Sequence, residues 1–169
     1  MNVGRCEQTI CYSDYSAPRF VLNRALSFPL GSKVDILGAI SAESELDGDL
    51  TDKIKYSIPD TINTMMEGKY PIEFRVMDSA GNTVYLETQI QITSPEESRI
   101  GVELDKYLVY VKQGKNFSAE KYYKGADVEG ASLRIKSNVD TDKAGVYHVD
   151  YTVDSNGIRG KSRLIVVVE

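Results

Sequence analysis

The side chains best suited to binding a metal form an acidic run in the first half of the chain: Glu43, Glu45, Asp47, Asp49 and Asp52. Carboxylate oxygens on a glycine-containing turn are ligands that Ca²⁺ prefers, so Asp47, Asp49 and Asp52 form a candidate calcium site. The spacing does not fit an EF-hand loop, which ends in a glutamate further downstream. The alternative is a solvated turn, formed by Asp47 and Gly48 with Thr51 bonding locally. The solvated turn is favoured, because calcium needs six or more oxygens, and no other cofactor is expected.

The two cysteines, Cys6 and Cys11, are separated by four residues. In an exported chain, an even number of closely spaced cysteines indicates a disulfide. The gap is too long for a redox Cys-x-x-Cys motif, and no zinc site is expected, because the single histidine, His148, is remote in sequence. A local disulfide is therefore predicted, with two free thiols, left by truncation of a longer chain, as the alternative.

No catalytic motif accompanies the single histidine of the chain, His148. The sequence contains no Gly-x-Ser-x-Gly elbow, no His-Glu-x-x-His motif and no phosphate-binding loop. His148 alternates with Tyr147 and Val149, so we expect it on the outward face of a strand and exposed to water. These features predict a protein that is not an enzyme.

Tyrosines are unusually dense between residues 107 and 123, where Tyr107, Tyr110, Tyr122 and Tyr123 occur. Tyr122 and Tyr123 are adjacent, so in a strand only one of them faces a core. An exposed tyrosine has an apolar ring and a polar hydroxyl, which suit it to stacking on a sugar or a protein partner. The alternative is one ordinary exposed aromatic residue without a ligand.

Composition indicates a globular β protein. The 169 residues are 27% charged and 41% hydrophobic, with eleven Tyr and thirteen Gly. The net charge of −5 repels phosphate backbones, so nucleic-acid binding is not expected. The longest apolar run, Leu164 to Val168, has the length of a strand and is far shorter than a membrane helix.

The hydrophobic pattern has the period of two that β-strands show. Tyr70, Ile72, Phe74 and Val76 alternate with polar residues, and a turn-forming cluster at 78–82 separates them from a second alternating segment at 84–92. The same order recurs at 147–153, 154–157 and 164–168. Each set predicts a β-hairpin.

The two sets form an internal repeat. The segment Thr64 to Tyr70 matches Thr141 to Tyr147 at an offset of 77 residues, and Gly31 matches Gly114. A repeat of this length indicates an array of domains. We predict domains at 18–94 and 95–169, joined at a linker near 94–98 that limits but does not abolish relative motion. Residues 1–17 are assigned to the remnant of a preceding domain or linker.

A glycine two residues before a tyrosine occurs at the start of the same strand in both repeats, as Gly68 with Tyr70 and Gly145 with Tyr147. Glycine supplies a backbone conformation that other residues resist. The tyrosine then buries its ring and turns its hydroxyl back to the loop, as in the tyrosine corner of Greek-key sandwiches. The alternative is an ordinary cross-strand aromatic residue.

The first repeat resembles the bacterial immunoglobulin-like repeat. The likeness rests on Asp-Gly-Asp-Leu-Thr at 47–51, Gly-Lys-Tyr at 68–70 and Asp-Ser-Ala-Gly-Asn at 78–82, and it covers about residues 17–93. The second repeat, 99–169, diverges, with Ala131 in place of the second acid and a shortened turn at 154–157. Repeats of this kind occur in tandem on Gram-positive surface proteins, and in some exoenzymes and pesticidal crystal proteins.

The resemblance implies an all-β fold of two tandem immunoglobulin-like Greek-key β-sandwiches, and it implies no reaction. The expected function is a monomeric, non-catalytic module pair of a bacterial cell-surface or secreted protein. It would act as a spacer or adhesion region that meets a surface protein or a glycan, without inserting into a membrane. The alternative function is a carbohydrate-binding accessory module of a secreted glycoside hydrolase.

Overall fold

The computed structural model describes residues 16–59 and 61–169. In these residues the regular structure consists of β-strands and short 3₁₀ turns, so the prediction of an all-β chain is confirmed. The strands are β1 Arg19–Leu22, β2 Ser27–Pro29, β3 Ile40–Ser44, β4 Gly48–Asp49, β5 Lys55–Ser57, β6 Gly68–Met77, β7 Thr83–Thr93, β8 Val102–Leu104, β9 Leu108–Val111, β10 Tyr123–Ala126, β11 Ser132–Ser137, β12 Gly145–Ser155 and β13 Ile158–Val168. None of the helical turns in the described residues has the length and apolar character that a membrane crossing requires.

The N-terminal half, β1 to β7, consists of two sheets packed face to face. One sheet has the order β1-β3-β4, and the other has the order β2-β7-β6-β5. The long hairpin of β6 and β7 provides most of the second sheet. Alternate residues of β6 are buried, so one face of this sheet is apolar. Phe20 and Phe74 meet between the sheets with ring centroids 6.2 Å apart, so each sheet covers the apolar face of the other.

The C-terminal half, β8 to β13, repeats this topology except that it has no counterpart of β4. One sheet pairs β8 with β10, and the other has the order β11-β12-β13-β9. In both halves a short early strand runs parallel to the last strand of the long hairpin, as β2 does to β7 and β9 does to β13.

One backbone contact recurs at the positions that the sequence repeat aligns. The Gly31 amide donates to the Thr64 carbonyl at 2.7 Å, and the Gly114 amide donates to the Thr141 carbonyl at 2.8 Å. Gly31 and Gly114 have φ of 76° and 74°, a left-handed conformation that favours glycine. The internal repeat is therefore a repeat of structure as well as of sequence.

The last strand, β13, is buried on both of its faces. Leu164, Val166 and Val168 lie in the core of the C-terminal half, whereas Ile165 lies in the same apolar cluster as the core of the N-terminal half. Leu108 of β9 joins Ile165 in that cluster. The two halves therefore share a buried apolar contact.

The connection between the halves is fixed along β13. Pro95–Glu97 form a 3₁₀ turn, and the amides of Arg99 and Ile100 both donate to the Arg159 carbonyl at 3.0 Å. Lys161 forms an ion pair with Glu97, and Ile100 is only 2% exposed. The predicted linker is thus anchored by backbone hydrogen bonds and by burial of one apolar side chain.

Candidate functional site

A group of interacting side chains lies between the two halves, on the outward face of the β11-β12-β13-β9 sheet. The strand register puts His148, Ile165 and Leu108 in one row across this face, and Val146, Val167 and Tyr110 in the next. We call this surface the docking face. Five of the six residues are apolar or aromatic, and all five pack against the core of the N-terminal half. Burial of apolar area on this face therefore holds the halves together.

Tyr110 ties the docking face to the first strand. Its hydroxyl accepts a hydrogen bond from the Phe20 amide at 2.9 Å and lies 3.3 Å from the Phe20 carbonyl, to which it donates. The Arg19 guanidinium sits over the Tyr110 ring, 4.6 Å from its centroid, and also forms an ion pair with Glu169. Burial raises the pKa of the Tyr110 hydroxyl, which keeps it protonated as a donor.

His148 occupies the polar end of the docking face. Its Nε2 lies 3.1 Å from Oγ1 of Thr88 on β7, within hydrogen-bond distance. Burial, followed by the charge of Arg163, lowers the pKa of His148 to about 4. The prediction of a water-exposed histidine is wrong: His148 does point away from its own core, but the N-terminal half covers it.

An ion pair with a buried arginine and a partly exposed carboxylate adjoins His148. Arg163 is only 6% exposed, and its Nε and Nη2 donate to the two carboxylate oxygens of Asp150 at 2.6 and 3.1 Å. Burial raises the pKa of the Asp150 carboxyl, but the Arg163 hydrogen bonds and charge outweigh it, so the net pKa is lowered. Arg163 Nη1 has no partner in the described residues. The pair keeps Asp150 ionised and fixes positive charge near His148.

Thr88 and His148 have the spacing of a nucleophile and a base, but their surroundings argue against catalysis. Thr88 is 6% exposed, so a substrate carbonyl has no access to its hydroxyl. A histidine whose pKa is about 4 is a weak base at neutral pH. Asp150, the acid that would orient the imidazole, is engaged by Arg163. This contact is suited to docking rather than to acyl transfer.

The acidic loop forms a turn that is closed by hydrogen bonds. The Asp47 carboxylate accepts from the Ser79 amide at 2.7 Å and from the Ser79 hydroxyl at 2.6 Å, and these bonds lower the pKa of Asp47. Asp49 accepts from the Thr51 amide at 2.9 Å. In residues 16–59 and 61–169, no three His, Cys, Asp or Glu side chains are grouped to hold a metal ion. The calcium hypothesis for Asp47, Asp49 and Asp52 stays a prediction.

Tyr70 and Tyr147 both bond back to the loop that precedes their strand. Tyr70 donates to the Asn63 carbonyl at 2.9 Å, and Tyr147 donates to the Lys143 carbonyl at 3.0 Å. Each ring also folds over the paired glycine: a Cβ on Gly68 would lie 3.2 Å from Tyr70 Cε2, and one on Gly145 would lie 3.5 Å from the same atom of Tyr147. Gly68 does not have a positive φ, so the prediction that this glycine is needed for its backbone conformation is wrong. A glycine at this position instead leaves room for the Tyr70 ring.

Tyr122 and Tyr123 are both half-buried in the C-terminal half. Tyr122 stacks on Phe117 with centroids 5.7 Å apart, and Tyr123 stacks on Tyr151 at 6.4 Å. The expectation that one of them points to solvent fails, because a 3₁₀ turn ends at Tyr122 and the strand begins only at Tyr123. Cys6 and Cys11 lie outside the described residues.

An exposed row of side chains that the sequence analysis missed crosses the other long sheet. Lys55, Arg75 and Tyr85 are register partners on β5, β6 and β7, and Tyr85 is 55% exposed. Lys55 and Arg75 line a cavity of about 520 Å³ together with Lys53, Asp52 and Met77. In the described part of the chain, the three cations form no ion pair. We call this surface the basic groove. The alternation of polar and apolar residues in the sequence predicts that these side chains point outward. Only the pairing register of β5, β6 and β7 shows that they lie side by side.

No protein-family model matches the chain. Its sequence is similar to that of the pesticidal crystal protein Cry22Aa of Bacillus thuringiensis, with 27% identity over 173 residues. The match covers 96% of this chain but only 23% of that protein. The chain therefore spans about a quarter of the length of this curated relative.

Solved structures show weaker likenesses. A Clostridium perfringens ZmpB structure with a CBM51-2 module in complex with GlcNAc and INT domains has a TM-score of 0.42 and 21% identity, covering 90% of this chain and 42% of that one. The lipoprotein BT2262 of Bacteroides thetaiotaomicron has a TM-score of 0.36 and 10% identity, covering 88% and 98%. At these TM-scores the likenesses define neither a fold family nor a function.

Proposed function

We propose that the chain is a docked pair of immunoglobulin-like Greek-key domains that serves as a non-catalytic spacer or adhesion region of a secreted or surface-exposed bacterial protein. The observation that carries the proposal is the buried docking face. A spacer must hold its two ends in a fixed relation, and the contact of Ile165 and Leu108 with the N-terminal core supplies that constraint.

Three further observations support this proposal. The repeated topology agrees with two domains of one type, and the hydrogen bonds of Tyr70 and Tyr147 are those that a tyrosine corner requires. The similarity to a pesticidal crystal protein agrees with the resemblance to bacterial immunoglobulin-like repeats, since such proteins are among those that carry the repeat. An extracellular location follows from the same resemblance.

Small-angle scattering of the intact chain tests the spacer proposal. At neutral pH we expect one rigid particle whose profile matches the docked arrangement and does not change between low and high salt, because apolar burial is not screened by ions. A profile that requires a mixture of separated and docked halves would contradict the proposal. So would turnover of an ester, peptide or glycoside substrate by the purified chain.

The basic groove favours glycan binding as a second candidate function. The cations Lys53, Lys55 and Arg75 line the cavity, and the exposed ring of Tyr85 lies beside it as the register partner of Arg75. Arginine and lysine pair with carboxylate and sulfate groups, and a tyrosine ring stacks on an apolar face. An acidic oligosaccharide that carries uronic acid or sulfate is therefore the ligand class that fits.

Binding to sulfated and uronic-acid oligosaccharides, measured by titration at low and at physiological salt, tests this second candidate. We expect the double variant Lys55→Ala/Arg75→Ala to lose about tenfold in affinity, equivalent to about 1.4 kcal/mol, and Tyr85→Ala to lose a similar factor without changing the salt dependence. The control is Lys112→Ala/Lys121→Ala, which removes two exposed cations of the C-terminal half. Equal binding by all the variants, or equal binding of neutral sugars, would show that the groove is not a binding site for acidic glycans.

A further inference from the structure

We propose that the contact between the two halves is sensitive to acid, and that protonation of His148 loosens it. The proposal starts from where the imidazole lies. It sits on the docking face with Thr88 of the other half at hydrogen-bond distance, and it shares a row with the buried side chains Ile165 and Leu108. A charge formed at this place must be desolvated as long as the halves stay docked.

The charged groups around His148 add to this penalty. Arg163 of β13 and Lys69 of β6 are both cations that disfavour the imidazolium, and only Asp150 of β12 favours it. Asp150 is already held by two hydrogen bonds from Arg163. The side chain of β7 that contacts His148 is Thr88, which carries no charge. Two cations thus face the imidazole, with one carboxylate that is largely neutralised.

Undocking relieves the penalty, because His148 and Lys69 belong to different halves. Undocking removes the burial, which is the largest cause of the low pKa, so the pKa of His148 rises from about 4 toward its ordinary 6.5, while Arg163 of the same half stays beside it. The docked state therefore binds fewer protons than the undocked state, and docking is strongest above pH 6.5. It weakens as the pH falls from 6.5 toward 4, and the undocking constant rises by at most about thirtyfold between about pH 7.5 and about pH 5. The pKa of Asp150 is lowered below its ordinary 3.8, so Asp150 does not titrate in this window.

His148 is the one histidine of the 169 residues, so its imidazole can be followed by NMR without ambiguity of assignment. We expect its ring signals to stay in the neutral form in the intact chain until about pH 4. In an Ile165→Asn variant, whose halves we expect to separate and which adds no charge beside His148, they should titrate well above pH 4 and toward the ordinary value of 6.5. Titration near 6.5 in the unmodified chain would overturn the proposal.

Hydrogen exchange reports docking itself, because the Phe20 amide donates to Tyr110 across the contact. We expect the protection factor of Phe20 to fall several-fold, and at most about thirtyfold, from about pH 7.5 to about pH 5 in the native sequence. It should not change in His148→Gln, whose amide is neutral at both values. His148→Asn serves as the second neutral variant if the first folds poorly.

A fall of equal size in the neutral variants would assign the effect to carboxylates and overturn the proposal. An unchanged protection factor in the native sequence would also overturn it. The combination that supports the proposal is loss of Phe20 protection in acid only when His148 is present, with the protection of core amides such as Val149 retained.

Discussion

Replacing Ile165 with aspartate will detach the two halves from each other while each half keeps its own fold. Ile165 is 2% exposed and belongs to the apolar cluster of the N-terminal core. A carboxylate at this position loses the apolar contact and, at neutral pH, is buried beside the uncharged imidazole of His148, its register partner, at a cost of about 3 kcal/mol or more in the docked state. Undocking returns the carboxylate to water, so the protein avoids the cost by separating its halves.

The neighbouring residue provides the matched control. Val166 is equally apolar but points to the opposite face of β13, into the core of its own half. Val166→Asp therefore unfolds the C-terminal half and removes much of its β-sheet circular dichroism. Ile165→Val is the conservative variant, and it should stay docked with a loss of about 1 kcal/mol.

Scattering and circular dichroism together distinguish these outcomes. For Ile165→Asp we expect a larger maximum dimension and radius of gyration, with a circular dichroism spectrum like that of the native chain. A profile equal to that of the native chain would show that the docking face does not hold the halves. Loss of β-sheet signal in Ile165→Asp would show that the face supports the fold of the C-terminal half rather than a contact between halves.

The sequence was sufficient to predict the strands whose burial is one-sided. Buried residues alternate along β6, and the alternation that predicted β12 correctly directs His148 away from its own core. Alternation reports only which face a side chain takes, and it cannot say whether water or a second domain covers the outward face. This is why His148 was expected to be exposed.

One local signal of the docking face was present in the sequence. Leu164 to Val168 is apolar without alternation, and a strand of that kind is buried on both faces. Its length excludes a membrane helix, and its missing period indicates a second layer that covers the strand. The partners on the other half cannot be inferred from any period, because Phe20 and Tyr110 lie 90 residues apart, and Thr88 and His148 lie 60 apart.

The candidate site residues show the same difference between contacts that are close in sequence and contacts that are distant in sequence. The tyrosines at 70 and 147 bond to loops within seven residues, a distance over which a motif carries information. The acidic loop is closed by Ser79, which is 32 residues away from Asp47 and supplies both of its donors. The spacing of the acids alone could not show that the Asp47 carboxylate is already occupied by hydrogen bonds.

Gly160→Ala will destabilise the chain by about 2–3 kcal/mol, because the connection between the halves leaves no room for a methyl group. A Cβ at this position would overlap the Ile100 carbonyl oxygen and lie 2.8 Å from its carbonyl carbon. Both are backbone atoms, so no rotation of a side chain relieves the overlap. The connection must move away from β13, and Ile100, which is buried, must move with it.

Urea unfolding measures this loss, and Lys161→Ala is its control. Lys161 follows Gly160 on β13, and its ion pair with Glu97 is partly exposed, so its removal should cost at most about 0.5 kcal/mol. If the connection positions the halves, Gly160→Ala will also reduce the hydrogen-exchange protection of Phe20, which lies on the docking contact and is distant in sequence from the connection. If stability falls but Phe20 keeps its protection, the docking face alone holds the halves and the connection acts only as a tether. A stability equal to that of Lys161→Ala would mean that the connection does not lie against β13 in solution.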